Sequence, residues 1–175
     1  PDTFGALIRQ TRDDVREVAA KQVRDPVALR AQIRSLAEEY PNRIAAVRGD
    51  LAELREQERQ LTREQEVSER VVALANDDLA QMQGMITQAE ATQASNPGHI
   101  VRVVFSQESL DLKDAYTKAQ RVQQVQEAYT NRHGEIERDL GYLNQQEQRL
   151  AALLDQLETE NAQFQAQMWQ LDRQI

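Results

Sequence analysis

Apolar residues recur along this chain at alternating steps of three and four for most of its length. The first long series is Leu29, Ile33, Leu36, Tyr40, Ile44, Val47, Leu51, Leu54, Glu58, Leu61, Gln65, Ser68, Val72, Ala75, Leu79, Met82, Ile86 and Ala89. The second is Leu112, Ala115, Ala119, Val122, Gln126, Tyr129, His133, Ile136, Leu140, Leu143, Glu147, Leu150, Leu154, Leu157, Asn161, Phe164, Met168, Leu171 and Ile175. A face that returns every seven residues is the heptad signature of a coiled-coil seam. Two such helices of similar length on either side of a short connection predict an all-α fold, a long antiparallel helical hairpin. The expected segments are a first long helix over 26–93, a tip over 94–106 and a second long helix over 107–175. Folding the chain back on itself brings Val72 near Tyr129, Leu61 near Leu140, Leu51 near Leu150 and Ile33 near Met168.

Local signals mark the ends and one fault. Asp25-Pro26 predicts a helix start, with Asp25 accepting from free amides and Pro26 at the first helical position. Two steps of four follow each other around Tyr40-Pro41, a stutter that locally unwinds a supercoil. Pro41 costs about 3 kcal/mol inside a straight helix, so a kink or short break is expected there. Ser106 is the expected cap of the second helix, with Glu108, Asp111 and Asp114 as acids in its first turns. Residues 1–24 carry Phe4, Leu7, Ile8, Val15, Val18, Ala19 and Val23 at one-sided helical spacing. They predict a short amphipathic helix, packed on a neighbour or lying close to a membrane.

The tip, SNPGHIVRVVFSQES from Ser95 to Ser109, departs from the helical pattern. Asn96-Pro97-Gly98 is the strongest turn signal in the chain. Ile100, Val101, Val103, Val104 and Phe105 favour a strand by residue type. An isolated strand leaves backbone groups unpaired. Two expectations follow: these side chains plug the open end of the seam near Ile86 and Leu110, or the segment pairs. The pairing partner would be the same segment of another chain, or residues 91–95 and then a neighbour. The five tip residues are therefore the candidate self-association site.

Six seam positions hold polar residues: Glu58, Gln65, Ser68, Gln126, His133 and Glu147. Their readings are register control, cover by a helix pair from another subunit, or water entering a thin stack. A single narrow seam buries little area per residue, so a dimer or higher homo-oligomer is expected.

Composition sharpens this picture. The chain has 175 residues, 40% of them hydrophobic but only 5% aromatic, with six Gly and four Pro. That balance suits long helices with narrow seams better than a thick core. A net charge of −8 makes nucleic acid a poor partner. Cysteine is absent, which excludes disulfides and thiolate metal sites but says nothing of compartment. No apolar run reaches the roughly 20 residues of a membrane span. The chain opens on Pro1 rather than Met, and the expectation is an upstream piece, of which a signal peptide or membrane anchor is one candidate.

Candidate chemistry is sparse. Glu38, Glu39, Asp50, Glu53 and Glu56 alternate with Arg43, Arg48, Arg55 and Arg59 as a solvated charged surface. His99 and His133 are far apart, and neither has a second His at helical ligand spacing. Asn76-Asp77-Asp78 lacks the glycine turn of a calcium loop, and Gly49, Gly84, Gly134 and Gly141 are isolated. The reading is therefore no enzyme, no cofactor, no metal and no small-molecule substrate.

The segments VRDPVALRAQIRSLAEEYPNRIAAVRGDLAEL and VRVVFSQESLDLKDAYTKAQ resemble bacterial, membrane-anchored coiled-coil hairpin proteins with a strand-like insert at the tip. By architecture the chain is also similar to phage shock protein A and other ESCRT-III-like hairpins, which coat and remodel membranes. Those hairpins turn through a tight helical connection, whereas this tip is apolar and no basic lipid-facing surface is present. The resemblance implies a non-catalytic, self-associating scaffold or filament subunit, associated with a membrane at the cell envelope or cytoplasmic face. An ESCRT-III-like coat and a coiled-coil arm of a larger ATPase are the alternatives.

Overall fold

The computed structural model describes residues 26–174, with the side chain of Gln174 left aside. The amphipathic segment 1–24, the Asp25 cap and Ile175 lie outside the described residues. The chain is a helical hairpin of four elements: α1 (Pro26–Ser95), β1 (Arg102–Phe105), β2 (Glu108–Asp111) and α2 (Leu112–Gln174).

Alanine, leucine, glutamate, glutamine and arginine, all good helix formers, dominate α1 and α2. At the end of α1, the Asn96 amide donates to the Thr92 carbonyl at 3.0 Å. Thr92 Oγ1 and Ser95 Oγ donate to the carbonyls of Gln88 and Ala91. Carbonyls of the last turns thus find partners before Pro97 ends any continuation.

The helix runs unbroken through Pro41, so the expected short break is absent. Pro41 has no N–H for the Ala37 carbonyl, yet flanking Tyr40 and Ile44 stay buried in the core, and their packing holds the helix across the defect.

The seam traced from the sequence is the face that packs. Among its described positions only Tyr129 is exposed; every other one is buried or half-buried. The chain divides into two compact units. The first joins residues 26–58 to residues 142–174. Its core holds Leu29, Ile33, Leu36, Tyr40, Ile44, Val47 and Leu51 from α1 with Leu150, Leu153, Leu157 and Phe164 from α2. Leu153 lies beside the traced seam line, and burial there widens the seam on α2. Arg48 and Arg55 bridge to Glu158 and Glu147 at 2.6 and 3.0 Å.

The second unit, Arg59–Gly141, contains the tip. Its best-packed part is a cluster of Ile86, Ala89, Val103, Leu110 and Ala115, with Val101, Leu112 and Ala119 against it. Away from the tip this unit is thinner, with Ser68, Ala75, Met82 and Ile136 buried, Tyr129 exposed and the other seam residues half-covered. Gln126 donates to Asn76, and His133 Nε2 meets Glu69 at 3.0 Å. Together with Arg55–Glu147, these pairs follow the expected register to within one residue.

Candidate functional site

The tip is a β-hairpin, and this corrects the expected course of the chain. β1 pairs antiparallel with β2 in the register Arg102–Asp111, Val103–Leu110, Val104–Ser109 and Phe105–Glu108. The partner of the strand is therefore residues 108–111 of the same chain, placed by the sequence reading at the start of the second helix. Ser106 is no helix cap. Ser106 and Gln107 form the two-residue turn with φ of 51° and 68°, the signs of a type I′ turn, whose twist matches that of the strands. The cap is Asp111, whose Oδ1 accepts from the Asp114 amide at 2.7 Å.

Alternation along β1 divides the candidate tip residues. Val103 and Phe105 are buried, and Val103 with Leu110 closes the end of the seam against Ile86 and Ala115. Of the five expected plug residues, Val103 thus fills that place. Val101 is half-buried against the same cluster. Ile100 and Val104 face outward and are 86% and 60% exposed. Lys118 Nζ lies 5.6 Å from the Phe105 ring centre and 2.6 Å from Glu108 Oε2, fastening the turn to α2.

Hydrogen-bond parity singles out one edge. The residues flanking a two-residue turn exchange both hydrogen bonds, and bonded and non-bonded pairs then alternate. Phe105–Glu108 and Val103–Leu110 are bonded pairs, so Arg102 and Val104 turn their N–H and C=O groups outward on β1. Ser109 and Asp111 do so on β2. Beyond the helices and strands, the backbone bonds among the described residues lie at Asn96 and His99.

No family model, curated protein or solved structure matches this chain. Its function has to be argued from its own geometry.

The six polar seam residues fall into two groups. Glu58 and Glu147 belong to the first unit and share a side-chain hydrogen bond. Burial, followed by that bond and the charge of Glu147, raises Glu58 above the ordinary carboxylate range, while Arg55 opposes the rise. Hydrogen bonds from Arg55 and with Glu58 hold Glu147 below that range. A proton held by this pair would sit on Glu58, with Glu147 ionised against Arg55.

Gln65, Ser68, Gln126 and His133 belong to the second unit. Ser68 is 1% exposed, and Gln65 is half-buried. Gln126 and His133 reach the opposite helix as described above. On another side of the same helix pair, Arg132 Nε and Nη2 donate to the two carboxylate oxygens of Glu64 at 2.8 and 2.9 Å, while Nη1 donates to Glu135 at 3.3 Å. That grip lowers Glu64 and raises Arg132 from their ordinary values.

Among the described residues no group of three His, Cys, Asp or Glu is placed to hold a metal, and no helix is long and apolar enough to cross a membrane. Two features escaped the sequence reading. β2 offers only Leu110 as an apolar residue, too little for a period-two signal. The second is a groove along one flank of the second unit, lined by Val71, Leu74, Ala75, Val122 and Val125. Leu74 and Val125 lie off the traced seams, so heptad reading assigns them to solvent.

Proposed function

We propose that this chain is a non-catalytic structural protein that self-associates through its tip into an extended scaffold. The observation that supports this reading is the outer edge of β1. Arg102 and Val104 point backbone donors and acceptors away from the hairpin beside the exposed side chains of Ile100 and Val104. Such an edge is a template for another strand unless Pro, a bulge or clustered charge blunts it. β1 has one charge, Arg102, and none of the other devices. β2 carries Glu108 and Asp111, which repel a second copy of themselves. The edge of β1 is therefore the one that pairs. Two copies related by a two-fold axis at Val103 place Arg102 opposite Val104, with outward groups matched on both strands and no like charges opposed.

Val104→Pro tests this. It removes an outward N–H, where an edge strand tolerates Pro, and leaves the bonds between β1 and β2 in place. Light scattering of the purified chain at micromolar concentration is expected to give an assembly for the parent and a smaller species for Val104→Pro. A monomeric parent sinks the proposal, as does an assembly indifferent to the substitution.

A further inference from the structure

A scaffold that grows beyond a pair needs a second contact, and the flank of the second unit offers one. Between α1 and α2 runs an open groove of about 590 Å³ whose walls include Val71 and Leu74 on one side and Val125 on the other. Leu74 is 58% exposed, Val125 45%, and Val67, a turn before Val71, 55%. Large apolar side chains grouped on one flank mark an interaction surface more strongly than the same residues scattered singly.

The charges around this window are sorted by helix. The α1 wall carries Asp78, and the α2 wall carries Lys118 and Arg121. Two turns beyond Val71 and Val125, away from the tip, the same order repeats as Glu64 on α1 and Arg132 on α2. Two acids also line the tip end, and both are engaged locally. Glu108 holds Lys118, and Asp114 sits in the first turn of α2, where the helix dipole favours it. Asp78 and Arg121 line one groove from opposite helices, yet neither makes an ion pair with any described residue.

We infer that the occupant of this groove is a second copy of the same unit, seated face to face about a two-fold axis parallel to the helices. That axis lays α1 of one subunit over α2 of the other, with both tips at the same end. Val71 and Leu74 then cover the partner subunit's Val125, and Asp78 meets the partner subunit's Arg121. An axis perpendicular to the helices would stack α1 on α1 and set acid wall against acid wall, so the charge order selects the first arrangement. The interface is isologous, as is the β1 pairing. Two different isologous contacts on one chain build an assembly larger than a dimer.

The inference rests on the reading that the chain self-associates, and complementary charge reversals separate the two. Asp78→Arg and Arg121→Asp are prepared as separate full-length chains. Each alone opposes like charges twice across the two-fold, and its assembly is expected to weaken by about tenfold or more in concentration. Mixed one to one, they restore both opposite pairs, and an assembly of parental size containing both chains is expected. Circular dichroism checks that each variant keeps the parent's helix content. Variants that assemble like the parent, or a mixture that stays as dissociated as its components, overturn the groove contact. A parent assembly that falls apart on Val104→Pro but ignores both reversals overturns it alone, whereas a monomeric parent overturns both contacts.

Discussion

Tyr40 and Phe164 pack with ring centroids 5.5 Å apart and planes tilted by 39°. Tyr40 is 2% exposed and Phe164 is 6%. In a chain with so few aromatic residues, this pair carries a large share of the buried area of the first unit. Truncating Phe164 to Ala removes that area and leaves a cavity that two helices close only partly. A loss of about 3 kcal/mol is expected, measured by urea denaturation followed by circular dichroism. A loss under about 1 kcal/mol would show that the pair is peripheral.

Next to Tyr40, Pro41 sits exposed in an unbroken helix. Its ring contributes no core packing, and its missing N–H weakens the backbone ladder. Pro41→Ala is expected to stabilise the chain by about 2 kcal/mol, most of the helix-interior cost of proline. The same denaturation series reads it. A destabilised variant would mean that the proline shapes the helix in a way the seam requires.

At the tip, Gln107 holds a φ of 68° with a side chain that prefers negative φ. Glycine bears no such penalty at this position of a type I′ turn. Gln107→Gly is expected to steady the hairpin by about 1 kcal/mol, seen as slower hydrogen exchange at the Leu110 amide. Unchanged or faster exchange there would argue against the turn.

The Glu58–Glu147 pair sets a pH dependence. Glu58 is raised in the folded chain, so ionising it costs stability as pH climbs through the ordinary carboxylate value of 4.5 toward its folded value. Glu147 is lowered, so its contribution is present above 4.5 and is lost as pH falls through its folded value. Glu58→Gln supplies a permanent donor to Glu147. The variant is expected to melt higher than the parent at pH 7, with the gain fading below about pH 4.5. A gain that is the same at both pH values would exclude the shared proton.

Most of the helical frame was legible in the sequence because its cause is local. A heptad face of Leu29, Ile33 and Leu36 or of Leu150, Leu154 and Leu157 can bury itself only as a helix against a second such face. Polar interruptions at Ser68, Gln126 and His133 did not obscure that periodicity. The groove was not legible, because Leu74 and Val125 become neighbours only once α1 and α2 lie side by side. Nor was β2, whose Glu108 and Asp111 read equally well as the acids of a helix start.

The sequence by itself determined two long one-sided helices, the turn at Asn96-Pro97-Gly98 and a strand-forming segment after it. Those are properties of residue type and spacing within a few turns. Tertiary structure alone decided what the strand pairs with. Burying Val103 and Leu110 together over Ile86 and Ala115 requires β1 and β2 on one face, and that packing outweighs the helical preference of the acids and the positive φ at Ser106 and Gln107. Pairing inside the chain uses one edge of β1 and leaves the other, with Arg102 and Val104, turned outward. The tip is thus both the plug of its own seam and the surface through which one hairpin is proposed to join the next.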